Sequence, residues 1–293
     1  MRRKLSPADL IIWVILAMAA FSCLVPMLNA VAISLSDKTS AALGKVYFFP
    51  VNFNVSSYKQ ILEEDQFFRS FSTSLLRVFL GGLINVSLCI FMAYPLSKDK
   101  SHFRGRDIYI WVVVFTMLFN GGLVPTYLVV KSLNLIDSIW ALVLPGSVPV
   151  FSVILLMNFY KGIPKALEEA AVMDGANPLF VLLQIFVPLS KAAIATITLF
   201  SVVGHWNAFF DGKIYINTPA KIPLQTYIQS LTVQVDFSRL SSMTKEQVLE
   251  QLERSNITFN SAKVVVSMVP ILLIYPFLQR YFVTGIVMGA VKE

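Results

Sequence analysis

The residues that could do chemistry are few. Glu168, Glu169 and Asp174 lie close together in "KALEEAAVMDGANP" (165–178), and Arg77 and His205 lie inside long apolar runs. Grouped carboxylates can meet basic or backbone donors on another surface. A central arginine costs about 2.5–3.5 kcal/mol on membrane-insertion scales, so such a residue snorkels outward, pairs with a neighbouring helix, or lines a polar path. His205 suits a hydrogen-bonding role between helices or a ligand contact. His102 and His205 are far apart, with no second ligand at metal spacing. Cys23 and Cys89 form no CxxC pair and read as small hydrophobes. "GKV" (44–46) lacks the upstream glycine and the Ser/Thr of a phosphate loop, and there is no Ser-His-Asp arrangement or HExxH. This chain is therefore not expected to be an enzyme, to hydrolyse ATP, or to hold a metal or cofactor of its own.

The elements that must carry these residues are membrane helices. Of 293 residues, 56% are hydrophobic and 14% charged, with 23 Phe. Soluble domains carry about 25% charged residues. The net charge of +7 comes from short loops beside apolar spans rather than from a clustered stripe. It speaks for topology and against nucleic-acid binding.

An all-α polytopic membrane protein with six transmembrane helices is expected, forming a single domain. The spans fall near 10–36, 70–97, 108–130, 138–160, 192–210 and 262–282, each close to the ~20 residues that cross a bilayer. Lys263 and Arg280 at the ends of the last span are expected to snorkel. Basic residues at 2–4 and 98–106, against Lys131 alone in 131–137, place both termini in the cytoplasm. Segment 161–191 is then cytoplasmic, while 37–69 and 211–261 face outward. "SSMTKEQVLEQLERS" (241–255) reads as a short amphipathic helix. No Asp or Glu falls within the spans. That argues against an ion-coupled secondary transporter working alone, the chief alternative.

Segment 161–191 has readable punctuation. Pro164 suits a first helical turn and "KALEEAAVMD" is rich in helix formers. Gly175 suits a left-handed stop. Asn177 is a good N-cap before Pro178, and "LFVLLQIFV" makes an apolar second helix disturbed by Pro188. The first helix should run about eleven residues, or ~16 Å. Leu167, Ala170, Ala171 and Asp174 share one small-residue face, flanked by Glu168 and Glu169. From the residues alone the piece is either a docking knob or an amphipathic loop lying on its own bundle.

Glu169-Ala170-Ala171, three residues, Gly175, nine residues, Ile185, one residue, then Val187-Pro188 resembles the EAA signature of ABC-importer permeases, with Val187 replacing the usual Leu. "FNGGLVPTYLVVKSLNLIDSIWALVLPG" (119–146), "PLSKAAIATITLFSVVGHWNAFFDG" (188–212) and "QRYFVTGIVMGAVK" (279–292) are similar to the maltose-type carbohydrate branch, and in style to permeases of alginate-oligosaccharide importers.

The resemblance implies a bacterial inner-membrane permease for oligosaccharides, acidic ones of alginate or pectin type among them, with an ABC permease for another solute as the remaining alternative within the family. Glu168, Glu169, Ala170, Ala171, Asp174 and Gly175 would then couple to a separate ATPase. ATP and magnesium would sit on two such ATPase subunits. A second, different permease and an external sugar-binding protein would complete the assembly, with 211–261 placed to meet the latter. The tail's Gly285 and Gly289 would approach the ATPases. Sugar selection by aromatic faces and amides points to Trp206, Asn207 and Phe210, followed by Arg77, Asn85, Asn120 and His205.

Overall fold

The computed structural model describes residues 7–232 and 257–290. The helix expected over 241–255 lies outside them. The chain divides into two compact units, 1–68 with 227–269 and 69–226 with 270–293.

In the first unit, α1 (Pro7–Ser34) has large apolar side chains exposed from Leu10 to Leu28. It has no polar face, the pattern of a helix solvated by lipid. The segment after it contains α2 (Lys38–Ala42), capped by the Asp37 carboxylate on Ser40 N, and α3 (Ser56–Leu62). Lys263 does not snorkel. It is 2% exposed, with Nζ 2.6 Å from Glu64 Oε2 and 2.8 Å from the Tyr227 hydroxyl. The Phe259 ring lies 4.0 Å beneath its ammonium. Burial here is bearable because the charge is paired and hydrogen-bonded.

The second unit takes most of α4 (Asp65–Ser97). Two of the expected spans are broken. Residues 108–130 form α5 (Arg106–Leu118) and α6 (Leu123–Ser132), meeting at 113°. The break is "FNGG", where the Asn120 side chain accepts from Gly122 N at 2.8 Å. Residues 138–160 form α7 (Ile139–Val143) and α8 (Val150–Lys161), separated by a stretch containing Pro145 and Pro149. Apolar composition runs through both breaks, so hydropathy alone reads each as one rod.

Segment 161–191 follows as α9 (Lys165–Met173), α10 (Pro178–Val181), a π turn at Leu182–Phe186 and α11 (Val187–Leu189). The span expected over 192–210 is α12 (Lys191–Asn207), and α13 (Phe210–Tyr215) begins anew after a turn. The final described helices are α14 (Leu224–Thr232) and α15 (Ile257–Ala290), which contains Gly285 and Gly289. The core of this unit gathers Cys89 and Ala93 of α4, Leu156 and Tyr160 of α8, Phe186, and Ile197 of α12.

A polar clasp joins two connections of this unit. Asp137 sits at φ 61° and its carboxylate accepts from Asn217 N (3.0 Å), Thr218 N (2.9 Å), Thr218 Oγ1 (2.7 Å) and Lys221 Nζ (2.8 Å). Lys221 first, then Thr218, hold its carboxyl well below the usual carboxylate range. A depressed acid stabilises the fold above the ordinary Asp value of about 3.9, and that stability is lost as pH falls through the lower folded value. Asn at 137 keeps the left-handed backbone but not the charge. Asp137→Asn is therefore expected to lower the unfolding temperature at pH 7 and to flatten its decline in acid, measured by thermal unfolding of the purified protein from pH 7 to 3.

Candidate functional site

The first candidate site is the α9–turn–α10 knob. Its local geometry follows the sequence punctuation. Gly175 sits at φ +83° and the Asn177 side chain accepts from Phe180 N at 2.8 Å, with Pro178 opening α10. Pro164 caps α9 rather than entering it, so the helix is 9 residues instead of about eleven.

The two adjacent acids part company. Glu168 turns inward, where Lys98 Nζ donates to Oε1 at 2.6 Å and the Tyr94 hydroxyl donates at 3.5 Å. Lys98 lies 3.9 Å from the Tyr94 ring centre and 4.2 Å from that of Phe186. Burial pushes the Lys98 ammonium below its usual range, with Glu168 opposing. Glu168 thus ties α9 to the end of α4 and is not offered outward. Ala171 also turns in, against the core, so the single outward face expected from Leu167, Ala170, Ala171 and Asp174 is reduced. Exposed instead are Leu167, Glu169, Ala170, Val172, Met173 and Asp174. At 87% exposure Met173 is a bare apolar tip. Isolated from a partner, such a knob has no reason to be so greasy.

The second candidate site is a cavity of about 490 Å³ lined by Arg77 and Asn85 of α4, Ser201 and His205 of α12, Asp211 and Tyr215 of α13, and residues of the α7–α8 break. Arg77 is 3% exposed. It neither snorkels nor presents a free cation, for it forms a two-armed ion pair with Asp211 through both terminal nitrogens, the Nη1–Oδ1 arm at 3.0 Å. Nη1 also donates to Ala208 O (3.2 Å) and Nη2 to Leu142 O (3.3 Å). Asn85, with its amide oriented to satisfy both ends, accepts from His205 Nε2 (3.2 Å) and Ser201 Oγ (3.1 Å). Its nitrogen donates to Gly81 O (3.1 Å) and Ser147 O (3.2 Å). That geometry assigns the His205 proton to Nε2.

Of the path residues read from sequence, Arg77, Asn85 and His205 come together here. Trp206, Asn207, Phe210 and Asn120 do not line the cavity. Trp206 is buried edge-on to Phe71 at 5.7 Å, Asn207 and Phe210 are exposed, and Asn120 caps the α5–α6 break. Asp211 was missed. It stands just past the expected end of its span, and the signal for it was an intramembrane arginine still lacking a counter-charge.

An all-helical polytopic chain with an exposed helical knob and a polar cavity among broken helices fits a membrane permease. More narrowly, it belongs to the permease subunits of carbohydrate ABC importers, of maltose type. It is 37% identical to the polygalacturonan/rhamnogalacturonan transport system permease protein YtcP of Bacillus subtilis, over 97% of this chain and 98% of that one. With Protein LplC of the same organism it shares 38% identity over 92% and 89%. In structure it matches a bacterial ABC transporter involved in the import of the acidic polysaccharide alginate, with TM-score 0.83, 30% identity, and coverage of 94% and 98%. No protein-family model matches the chain.

A Cβ on Gly81 would stand 2.3 Å from His205 Nε2, so the absence of a side chain there lets the imidazole reach Asn85. Gly81→Ala is expected to destabilise by about 1–3 kcal/mol through overpacking. His205→Ala on top of it should recover part of that loss, which a double-mutant cycle on thermal or denaturant unfolding checks.

Proposed function

We propose that the chain is one half of the translocation path of an ATP-driven importer of acidic oligosaccharides, of the alginate or pectin class. It couples through α9 to a separate ATPase. The observation that carries the coupling is the exposed α9 tip itself. Apolar Met173 and Val172 stand out beside exposed Glu169, while Glu168 and Ala171 fasten the same helix to the bundle.

A helix held from behind and bare in front transmits displacement. In this reading Glu169, Ala170, Asp174 and Gly175 meet the ATPase groove, and Glu168 and Ala171 position them. ATP and magnesium belong to two such ATPase subunits, so the chain itself needs no cofactor. A second, different permease supplies the other half of the path and an external sugar-binding protein delivers the substrate, with the outward segment from 211 onward placed to receive it. Both termini lie in the cytoplasm. Arg77, Asn85 and His205 belong to the sugar path. Asn207 and Phe210, both exposed, remain candidates for the face shared with the second permease, with Trp206 and Asn120 acting as structural supports.

The acidic class is supported by the relatives' own substrates, polygalacturonan and rhamnogalacturonan for one and alginate for the other. The deciding experiment isolates the tagged chain with its companions in mild detergent. A second permease and an ATP-binding subunit should co-purify, and ATP hydrolysis should rise with galacturonate or alginate oligosaccharides more than with neutral ones. A chain that stays alone, where a reference importer stays whole, would overturn the coupling. Greater stimulation by neutral oligosaccharides would overturn the substrate class.

Glu169→Lys is expected to cut uptake at least tenfold at unchanged membrane abundance, because it puts a like charge against a donor-bearing groove. Uptake assays paired with immunoblots check it. Gly175→Val should uncouple as strongly, since a β-branched residue resists φ +83° and swings the tip away. The readout is loss of substrate-stimulated ATP hydrolysis in a complex that still assembles.

A further inference from the structure

A guanidinium carries five N–H donors, four of them on its terminal nitrogens. For Arg77 those four are engaged by Asp211 Oδ1, Asp211 Oδ2, Leu142 O and Ala208 O, and Nε has no hydrogen-bond partner among the described residues. The fork that would grip a sugar carboxylate is therefore already filled by the protein's own. Among the described residues, the lining around the ion pair holds no other carboxylate, lysine or arginine, and its remaining polar residues are Asn85, Ser152, Ser201, His205 and Tyr215. Tyr215 and Phe200 also line the cavity, bringing aromatic, apolar surface beside the polar groups. A volume of about 490 Å³ lies within the ~300–1,000 Å³ of small-molecule sites.

Resting on the path reading above, we infer that this cavity is a charge-silent sugar station. It reads one glycosyl unit through hydroxyls and ring face, and Asp211 serves to cancel Arg77 so that passing uronates are not held. The physical reason is kinetic. Conduction requires a site strong enough to enter and weak enough to leave. A bare arginine in a water-poor cavity grips carboxylates bidentately. Selection for acid groups must then be made elsewhere, by the delivering protein or the companion permease. Arg77, placed on the path for anionic sugars by sequence, becomes a positioning residue.

The test uses the assembled importer in proteoliposomes and the oligosaccharide selected by the ATP-hydrolysis screen, with free galacturonate as a competing anion. Three proteins are compared, namely wild type, Asp211→Asn, and Asp211→Glu, which keeps the counter-charge. The half-inhibitory galacturonate concentration should fall at least tenfold in Asp211→Asn, while Asp211→Glu should keep the wild-type inhibition. Equal inhibition in all three proteins, or the same fall in Asp211→Glu as in Asp211→Asn, overturns the inference. Should Asp211→Asn not assemble, Asp211→Ser is read in its place with the same two outcomes. A fourth variant separates the two readings. Gly204 borders the cavity and a Cβ there meets nothing within 4 Å, so Gly204→Phe places bulk at the cavity edge without a clash at Cβ. Full uptake by Gly204→Phe would sink the path reading itself; blocked uptake with unchanged galacturonate response in Asp211→Asn would sink only the charge argument.

Discussion

Helices that stop inside a membrane protein leave carbonyls without partners, and in lipid each such group costs several kcal/mol. The second unit has breaks of this kind after α7 and after α12. Arg77 resolves both. Its two terminal nitrogens take Leu142 O at the end of α7 and Ala208 O just past α12, while Asp211 at the start of α13 cancels the charge. One side chain from α4 thus bridges three elements, supplying a donor to one carbonyl at each of two helix ends and a counter-charge to the third. The polar lining of the path and the stability of its walls come from the same group.

The knob shows a comparable division of labour between neighbours in sequence. Glu168 and Glu169 differ by about 100° around a helix. That angle is enough to send one carboxylate to Lys98, between two aromatic rings, and leave the other in the open. A coupling element needs both a grip on its own protein and a surface for the next. Here a single dipeptide provides the two.

Much of this was legible in the residues. Caps and stops around α9 and α10 rest on short-range chemistry, so Gly175, Asn177 and Pro178 could be read directly. The all-α membrane class followed from composition. Breaks within 108–130 and 138–160 are not legible in hydropathy, because it averages over a window and the apolar flanks outweigh the short "FNGG" and "LPGSVP" interruptions. Asp211 escaped for a related reason, since a boundary drawn at 210 placed it outside the span that its helix turn continues. Trp206 and Phe210 were chosen as path residues for their type alone, and type does not reveal that Trp206 turns into the protein against Phe71. Glu168 and Lys98 are 70 residues apart, and no local pattern announces such a pair.

The π turn at Leu182–Phe186 holds one more residue than an α-helical turn of the same span would. Phe186 lies within it and stacks edge-on with both Tyr94 (5.0 Å) and Tyr160 (5.3 Å), beneath Lys98. The extra residue is in effect an insertion fixed in the chain, and it sets the rotational phase between the knob and α12. Side chains along α10 and α11 can change in kind while that phase survives. Their number cannot, because removing one residue turns everything before it by about 100° relative to everything after.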